Sequence, residues 1–215
     1  MSKQLKIALF GATGMIGSRI AAEAARRGHQ VTALSRNPAR VPADVPNLKA
    51  AQADLLDAAS VGAAVRGHEV VASAYAPPQT DVGSLDKATR ALVEGVRAAG
   101  LKRLVVVGGA GSLEVAPGKQ LVDTEGFPDA YKAVALAHRE ALNYYRSVAD
   151  LDWTFFSPAA IIAPGERTGT FRTGTDSLIA DAQGNSRISA EDYAIAFVDE
   201  LEQGRFVHQI ATVAY

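Results

Sequence analysis

The length, composition and charge of the chain indicate a globular protein with a sizeable core. It has 215 residues, of which 48% are hydrophobic, and its formal net charge is −1. The length suits one large domain or two small ones, and the near-neutral charge without a basic run argues against nucleic-acid binding. Because the chain contains no cysteine, disulfides, thiolate metal sites and cysteine nucleophiles are excluded, and we expect no metal.

The apolar segments are short. The first begins within a few residues of the N-terminus, which leaves no room for a signal peptide. No segment approaches the roughly 18 apolar residues that span a bilayer. We therefore expect a cytoplasmic protein that does not bind membranes.

The stretch from Leu5 to Gly28 predicts a buried strand, a glycine turn and a helix. Glycines in such a turn bring the backbone close to a ligand, and the start of the helix offers N–H groups to a pyrophosphate. A glycine turn without a ligand is the alternative. The turn residues that we expect to bind a dinucleotide are Gly11, Thr13, Gly14, Met15, Ile16 and Gly17.

The second predicted strand, His29 to Leu34, leads to the residues that distinguish NAD from NADP. In dinucleotide folds an acid near this point favours NAD, whereas an arginine accommodates the 2′-phosphate of NADP. Arg36 lies there, Arg40 follows four residues later, and no acid lies nearby before Asp44. A planar guanidinium suits a phosphate dianion, so the sequence favours NADP(H) over NAD(H). The alternative is that both arginines are ordinary surface cations.

A third strand, Leu48 to Ala53, is predicted to end beside the adenine. Asp54 and Leu55 follow it directly, and we assign both to the adenine pocket. Asp57 is expected to cap the next helix, from Ala58 to Arg66.

The fourth predicted strand, Glu69 to Ala74, enters a proline-containing loop over residues 75–83. Ligands of such sheets bind at the carboxyl ends of the strands, so Ala74 and Tyr75 are expected to contact the cofactor. A helix from Ser84 to Ala99 follows, with apolar residues at helical spacing.

The fifth predicted strand, Arg103 to Val107, opens into a long segment over residues 108–128. We expect Gly108 and Gly109 to contact the cofactor. Segments of this length without periodicity inside a compact domain are usually functional, so a mobile lid is expected here. Ser112 is a candidate catalytic residue, and the alternative is a turn serine.

A helix from Asp129 to Val148 and a sixth strand from Asp152 to Phe156 come next. Pro158 then begins a substrate-side loop over residues 157–175 and is expected to contact the cofactor. We expect Ile179 and Ala180 to form a short strand.

Near the end of the chain, Ser189 to Asp192 is expected to cap a helix that ends at about Glu202. The last strand is predicted from Phe206 to Val213. The alternation of strands and helices predicts an α/β protein. Its architecture would be one Rossmann-like domain over residues 1–215, with a doubly wound parallel sheet and helices on both faces.

Four motifs carry a family resemblance. The turn from Gly11 to Gly17 has the form G-x-x-G-x-x-G, and later stretches read GGAGSL at Gly108 to Leu113, PGERTG at Pro164 to Gly169 and NSRIS-EDYA at Asn185 to Ala194. The sequence resembles the atypical short-chain dehydrogenase/reductases, in the NAD(P)H-binding group that includes biliverdin reductase B-like and NmrA-like proteins. The resemblance covers essentially the whole chain. It implies a Rossmann domain that binds a nicotinamide cofactor.

The resemblance also bears on particular residues. Arg36 and Arg40 match the positions that contact the 2′-phosphate in biliverdin reductase B-like members. Those members carry a histidine after the proline of the sixth strand, but Ala160 occupies that position here.

The catalytic pair of the family is missing. Typical members use Tyr-x-x-x-Lys, in which the tyrosine exchanges a proton with the substrate and the lysine lies one helical turn away. Here Lys132 follows Tyr131 directly and Ala135 stands four residues after Tyr131. Adjacent helical residues point about 100° apart. If Glu140 is aligned with the acid that follows the pair in the family, Lys132 and Leu136 stand at the tyrosine and lysine positions. This alignment also gives no Tyr–Lys pair.

Tyr131 and Lys132 remain candidate catalytic residues at the rim of the site, and the alternative is an exposed helix start. His138 is expected to be a packing or surface residue. The leading hypothesis is an NADPH-dependent reductase that transfers hydride directly to a flavin, quinone or carbonyl. The alternatives are a non-catalytic NADP(H) sensor and an epimerase-like enzyme. The sequence leaves open whether the protein is a monomer or a dimer.

Overall fold

The fold was derived from a computed structural model that describes residues 3–42 and 45–215, so Asp44 lies outside the described residues. The strands are β1 (Lys6–Phe10), β2 (Gln30–Ser35), β3 (Leu48–Gln52), β4 (Val70–Ser73), β5 (Arg103–Val107), β6 (Glu114–Ala116), β7 (Lys119–Gln120), β8 (Asp152–Ser157), β9 (Ile161–Ala163), β10 (Arg172–Gly174), β11 (Arg187–Ser189) and β12 (Gln209–Ala214). The helices are α1 (Met15–Arg26), α2 (Ala58–Val65), α3 (Ser84–Ala98), α4 (Asp129–Arg146) and α5 (Ala190–Gln203).

Eight strands form the central sheet in the order β10-β12-β8-β5-β4-β1-β2-β3. Every neighbouring pair is parallel except β10 with β12 at one edge. The chain moves from β1 outward through β2 to β3, and then crosses back to β4 on the other side of β1. This reversal creates a crevice at the carboxyl ends of β1 and β4, which is where doubly wound sheets bind their ligands.

Helices cover both faces of the sheet, as the sequence predicts. α1 and α5 pack on one face, whereas α2, α3 and α4 pack on the other. Each face has its own buried cluster, because apolar side chains alternate between the faces along the central strands. In β1, for example, Ile7 and Leu9 belong to one cluster and Ala8 and Phe10 to the other.

Two predicted helix caps are confirmed. The side chain of Asp57 accepts hydrogen bonds from the backbone N–H groups of Ala59 and Ser60. Ser189 accepts one from the N–H of Asp192 at the start of α5. Both caps satisfy N–H groups that lack a partner in the first helical turn.

The prediction of a strand at Ile179 and Ala180 is wrong. Neither residue belongs to a strand. The pairing is formed instead by β10, which lies antiparallel to β12, and by β11, which lies parallel to β9. The partners of these short strands are distant in the chain, so the local sequence does not reveal them.

The segment over residues 108–128 is more ordered than a loop. It contains a 3-10 turn from Ala110 to Ser112 and the small hairpin of β6 and β7. Leu113 and Val122 are buried in it, and the N–H of Glu114 donates to the carbonyl of Asp176 at 2.8 Å. The segment is therefore anchored to the rest of the molecule at both its centre and its hairpin.

Candidate functional site

The glycine turn between β1 and α1 lies at the crevice, against the end of β4. Gly11 has a φ of +79°, in the left-handed region that favours glycine. A Cβ atom on Gly11 would lie 2.6 Å from the carbonyl carbon of Ala74, and one on Gly17 would lie 2.1 Å from the carbonyl oxygen of Gly11. Both positions therefore require glycine, because backbone atoms occupy the space of a side chain.

The start of α1 is open toward the crevice. Its N-cap residue is Gly14, no side chain in the described part of the chain caps it, and its first turn carries no acid. Thr13 and Met15 are exposed and Ile16 is half-buried. Unpaired N–H groups and the positive end of the helix dipole make such a helix start suitable for a pyrophosphate.

A pocket of about 240 Å³ opens beside this turn, at the carboxyl ends of β2 and β3. It brings Arg36 and Arg40 together with Asp54 and Leu55. The sequence assigned the two arginines to the 2′-phosphate and the other two residues to the adenine. Neither Arg36 nor Arg40 forms an ion pair with any described residue, and both are exposed. The lining residues are Phe10, Gly11, Thr13, Leu34, Ser35, Arg36, Asn37, Arg40, Ala53, Asp54, Leu55, Leu56 and Tyr75.

Local hydrogen bonds hold the floor of this pocket. The backbone N–H of Asp54 donates to the hydroxyl of Ser60 at 2.9 Å, and the Asp54 carboxylate accepts from the N–H of Leu56 at 2.9 Å. Leu55 is 8% exposed and packs into the core. Sequence reasoning did not assign Ser35 or Asn37 to the pocket, although both flank Arg36.

The carboxyl ends of β5 and β8 form the far side of the crevice. The N–H of Gly108 donates to the carbonyl of Phe156 at 2.8 Å, which continues the pairing beyond the strand. The hydroxyl of Ser157 donates to the carbonyl of Gly109 at 3.2 Å. Pro158 follows and is buried. These bonds fix two of the predicted contact segments against each other.

His138 is the buried residue beneath this side of the crevice. A Cβ on Gly109 would lie 3.0 Å from the Cβ of His138, and the imidazole packs edge-on to Phe155. The side chain is 8% exposed, and burial lowers the pKa of His138 from its usual 6.5 to about 4. His138 is therefore neutral near pH 7. Within the described residues its Nδ1 atom has no hydrogen-bond partner.

The three catalytic candidates differ in exposure. Ser112 is 3% exposed, and its hydroxyl is buried without a partner among the described residues. Tyr131 is 63% exposed and Lys132 is exposed, both at the start of α4. The side-chain amide of Gln79 donates to the carbonyl of Ala130 at 3.4 Å, which brings the loop over residues 75–83 beside this helix start.

Two motifs of the later sequence are joined through one buried carboxylate. Asp192 is completely buried and accepts hydrogen bonds from the hydroxyl of Thr168 at 2.5 Å, the N–H of Gly169 at 2.8 Å and the hydroxyl of Tyr215 at 2.9 Å. Ser189 also donates to the carbonyl of Glu166 at 2.7 Å. Sequence reasoning recognised both motifs but did not predict that they contact each other.

The fold and the crevice together define a Rossmann-type dinucleotide-binding protein. Comparison with protein families agrees with this class. Residues 11–203 match the family described as NAD(P)H-binding, and the chain belongs to that family. The protein therefore binds a nicotinamide cofactor, and the predicted resemblance is confirmed.

Several solved structures are similar over nearly the whole chain. A protein of Burkholderia pseudomallei, provisionally named an exported protein, is 72% identical and has a TM-score of 0.92, with 99% of this chain and 100% of that chain covered. One of Bacteroides thetaiotaomicron, provisionally named an epimerase, is 40% identical with a TM-score of 0.93 and coverage of 99% and 98%. One of Streptococcus pneumoniae, provisionally named an NADH-flavin reductase, is 32% identical with a TM-score of 0.88 and coverage of 98% and 99%. These neighbours support a general oxidoreductase role.

No helix within residues 3–42 and 45–215 is both long and apolar enough to cross a membrane.

Proposed function

We propose that this protein is an NADPH-dependent oxidoreductase that transfers hydride to a small electron-poor acceptor such as a flavin, a quinone or a carbonyl compound. The observation that carries the proposal is the pocket beside β2, in which Arg36 and Arg40 lie together without ion-pair partners among the described residues. Two such guanidinium groups suit the dianionic 2′-phosphate that distinguishes NADPH from NADH.

The residues present fit the cofactor. The glycines at Gly11 and Gly17 let the turn pack against backbone atoms where a side chain would clash. The start of α1, with its unpaired N–H groups, would hold the pyrophosphate. Asp54 and Leu55 would hold the adenine. Tyr75 lines the same pocket as Asp54 and Leu55, and Ala74, Gly108, Gly109 and Pro158 would surround the nicotinamide end.

When bound, the reduced cofactor supplies hydride. The acceptor gains two electrons and one hydrogen in that transfer, and one proton completes its reduction. The chain orients the two reactants, which is the part that a protein supplies in cofactor chemistry. Because Tyr131 is exposed and Lys132 lies beside it instead of one turn away, we propose that solvent supplies the proton. Ser112, Tyr131 and Lys132 remain the candidates if a side chain does so.

The test is steady-state oxidation of NADPH against a panel of flavins, quinones and carbonyl compounds. We expect turnover above background with at least one acceptor, and none with any acceptor would overturn the proposal. The name of the Streptococcus pneumoniae neighbour specifies NADH, so the choice of cofactor needs its own test.

The Arg36→Ala variant provides that test. We expect it to weaken NADPH binding by about 10-fold or more, because the variant loses a charged hydrogen bond to the 2′-phosphate. NADH has no 2′-phosphate, so its binding should change by less than about threefold. Arg66→Ala, which also removes an exposed arginine, is the matched control. Equal losses for NADPH and NADH would refute the assignment to the 2′-phosphate.

The absence of the Tyr-x-x-x-Lys pair favours a second candidate, a sensor that reports the NADP redox state to a partner. Such a sensor requires different affinities for NADP⁺ and NADPH, because a ligand shifts an equilibrium only through differential binding. Calorimetric titration with both forms separates the two functions, and matching constants would count against sensing. An epimerase-like activity, suggested by the name of the Bacteroides neighbour, predicts product formation without net NADPH consumption.

We further propose that residues 1–215 form one domain with substrate-side loops over residues 75–83, 108–128 and 157–175.

The cytoplasm is the proposed location. Cell fractionation tests it, and recovery of the protein outside the cytoplasm, as the name of the Burkholderia neighbour suggests for that protein, would overturn it.

A further inference from the structure

A small cavity, which we call the inner cavity, lies between the carboxyl ends of β4 and β5 and the helices α3 and α4. The space open to a water molecule measures about 20 Å³, and one buried water needs about 10 to 15 Å³. The inner cavity therefore has room for one water molecule. Its lining residues include Ser73, Thr89, Leu92, Val106, His138 and Tyr145, all of which are buried.

The imidazole of His138 brings a polar atom without a partner to this cavity. His138 is 8% exposed, and within the described residues its Nδ1 atom makes no hydrogen bond. A Cβ on Gly109 would lie 3.0 Å from the Cγ of His138 and 3.3 Å from its Cδ2. The ring thus presents its Cδ2 edge to Gly109, and Nδ1 lies on the other edge. A buried ring nitrogen costs free energy unless something forms a hydrogen bond with it.

Three hydroxyl groups line the same cavity, on Ser73 at the end of β4, Thr89 in α3 and Tyr145 in α4. The hydroxyl of Ser73 accepts a hydrogen bond from the N–H of Tyr75 at 3.4 Å. Burial raises the pKa of Tyr145, and a hydrogen bond with Thr89 offsets this only in part, so the phenol keeps its proton. Since a hydroxyl both donates and accepts, these groups suit a small polar guest in either orientation.

The chemistry of the lining selects water as the guest. None of the three hydroxyls forms a hydrogen bond with Nδ1, so a molecule must bridge them to the ring. In the described part of the chain no acid, lysine or arginine lines the cavity, which disfavours an ion. An apolar guest would leave Nδ1 unpaired, whereas ordering one water costs little entropy.

We propose that one buried water molecule occupies the inner cavity, hydrogen-bonded to Nδ1 of His138 and to at least one of the three hydroxyls. The water lies behind two residues that we expect to contact the cofactor. Tyr75 lines both the inner cavity and the pocket beside β2, and His138 packs under Gly109. The water would hold the imidazole fixed beneath the crevice. The inference does not depend on the proposed reaction, because the site belongs to the fold.

Magnetic relaxation dispersion of the water oxygen tests the inference, because it counts long-lived buried waters and does not detect exchanging protein protons. We expect His138→Leu to lose one such water relative to the wild-type protein, since leucine offers no polar atom. His138→Gln should retain it, because the amide replaces the ring nitrogen. His68→Leu is the matched control, as His68 is a half-buried histidine that does not line the cavity, and it should leave the count unchanged.

An equal count in the wild-type protein and in His138→Leu overturns the proposal. The same loss in His68→Leu also overturns it, because the count would then report loosening of the fold. Should His138→Leu fail to fold, the wild-type protein alone still tests the site through nuclear Overhauser contacts between water and the methyl groups of Leu92 and Val106. We expect both contacts, and the absence of both would mean that the inner cavity is dry.

Discussion

The carboxyl edge of the sheet is built differently on its two sides. The cofactor half, comprising the turn over residues 11–17 and the residues after β2 and β3, is shaped by backbone approach and by short-range hydrogen bonds. The other half, where we propose that the acceptor binds, comprises residues 108–128 and 157–175 and is called the acceptor half. It is held by side chains from distant parts of the chain. Asp192 accepts a hydrogen bond from Thr168, which lies 24 residues away in the sequence. The hydrogen bonds of Asp54 join it to residues at most six positions away.

This difference determines how much change in sequence each half tolerates. A cofactor half made of backbone contacts tolerates little change, because each glycine position is fixed by atoms that cannot move aside. An acceptor half held by individual side chains changes its lining when one of those side chains changes. We infer that the first half preserves the choice of cofactor class and that the second half determines the acceptor.

The largest effect is expected for Gly17→Ala, which breaks the cofactor half. The new Cβ would lie 2.1 Å from the carbonyl oxygen of Gly11, so the turn must shift. We expect the free energy of unfolding to fall by about 3 kcal/mol and NADPH affinity to fall by about 100-fold or more. Chemical denaturation and calorimetric titration measure the two effects.

Gly14→Ala is the matched control in the same turn. Its Cβ would lie 3.5 Å from the same oxygen, which is an ordinary contact, and the substitution at an N-cap glycine should cost less than about 1 kcal/mol. If Gly17→Ala were as stable as Gly14→Ala, the cofactor half would not depend on backbone approach.

A comparable loss of unfolding free energy is expected on lowering the pH, because His138 is buried against Gly109 in the acceptor half. Burial lowers the pKa of His138 to about 4 in the folded protein, whereas the unfolded chain keeps the ordinary value of 6.5. Between these two values the unfolded chain therefore binds the extra proton. Stability should be full above pH 6.5 and fall as the pH is lowered toward 4, by about 3 kcal/mol in all.

Unfolding measured from pH 7 to pH 4 in the wild-type protein and in His138→Gln isolates this contribution. The variant removes the titrating group, so its stability should fall less steeply over the window even if its absolute stability is lower. If unfolding free energy fell equally steeply with pH in the wild-type protein and in His138→Gln, the imidazole would not be buried under Gly109.

Asp192→Asn should have a smaller effect, confined to the acceptor half. An amide cannot accept from all three of the donors that the carboxylate binds, and a buried donor left unpaired costs about 1 to 3 kcal/mol. We expect unfolding stability to fall by about 2 kcal/mol, amide exchange at Gly169 to accelerate, and NADPH affinity to stay unchanged. Asp86→Asn, which removes an exposed helical ion pair with Arg90, should cost less than about 0.5 kcal/mol. A loss of NADPH affinity in Asp192→Asn would contradict the separation of the two halves.

The same contrast explains what could be predicted from the sequence. Local patterns predict the glycine turn, the cap at Asp57 and the strands β1 to β5, β8 and β12, since each depends on residues close in the chain. The short strands β6, β7, β9, β10 and β11 were not predicted. The strand expected at Ile179 and Ala180 was wrong because strand pairing there is decided by distant partners. His138 lies at helical spacing from the buried residues Ala135 and Leu142, so its burial follows a local pattern, whereas its contact with Gly109 does not.

The smallest effect, on kcat, is expected for Tyr131→Phe. This variant tests whether the acceptor half supplies a proton. Tyr131 is 63% exposed, and Ala135 occupies the position where a lysine one turn later would assist it. If the acceptor half acts only by orienting the acceptor, kcat should change by less than about threefold, as in Tyr144→Phe on the same helix. Loss of a true general acid costs about 100-fold or more. A loss of that size, with a changed pH profile, would mean that the acceptor half supplies a proton as well as a shape.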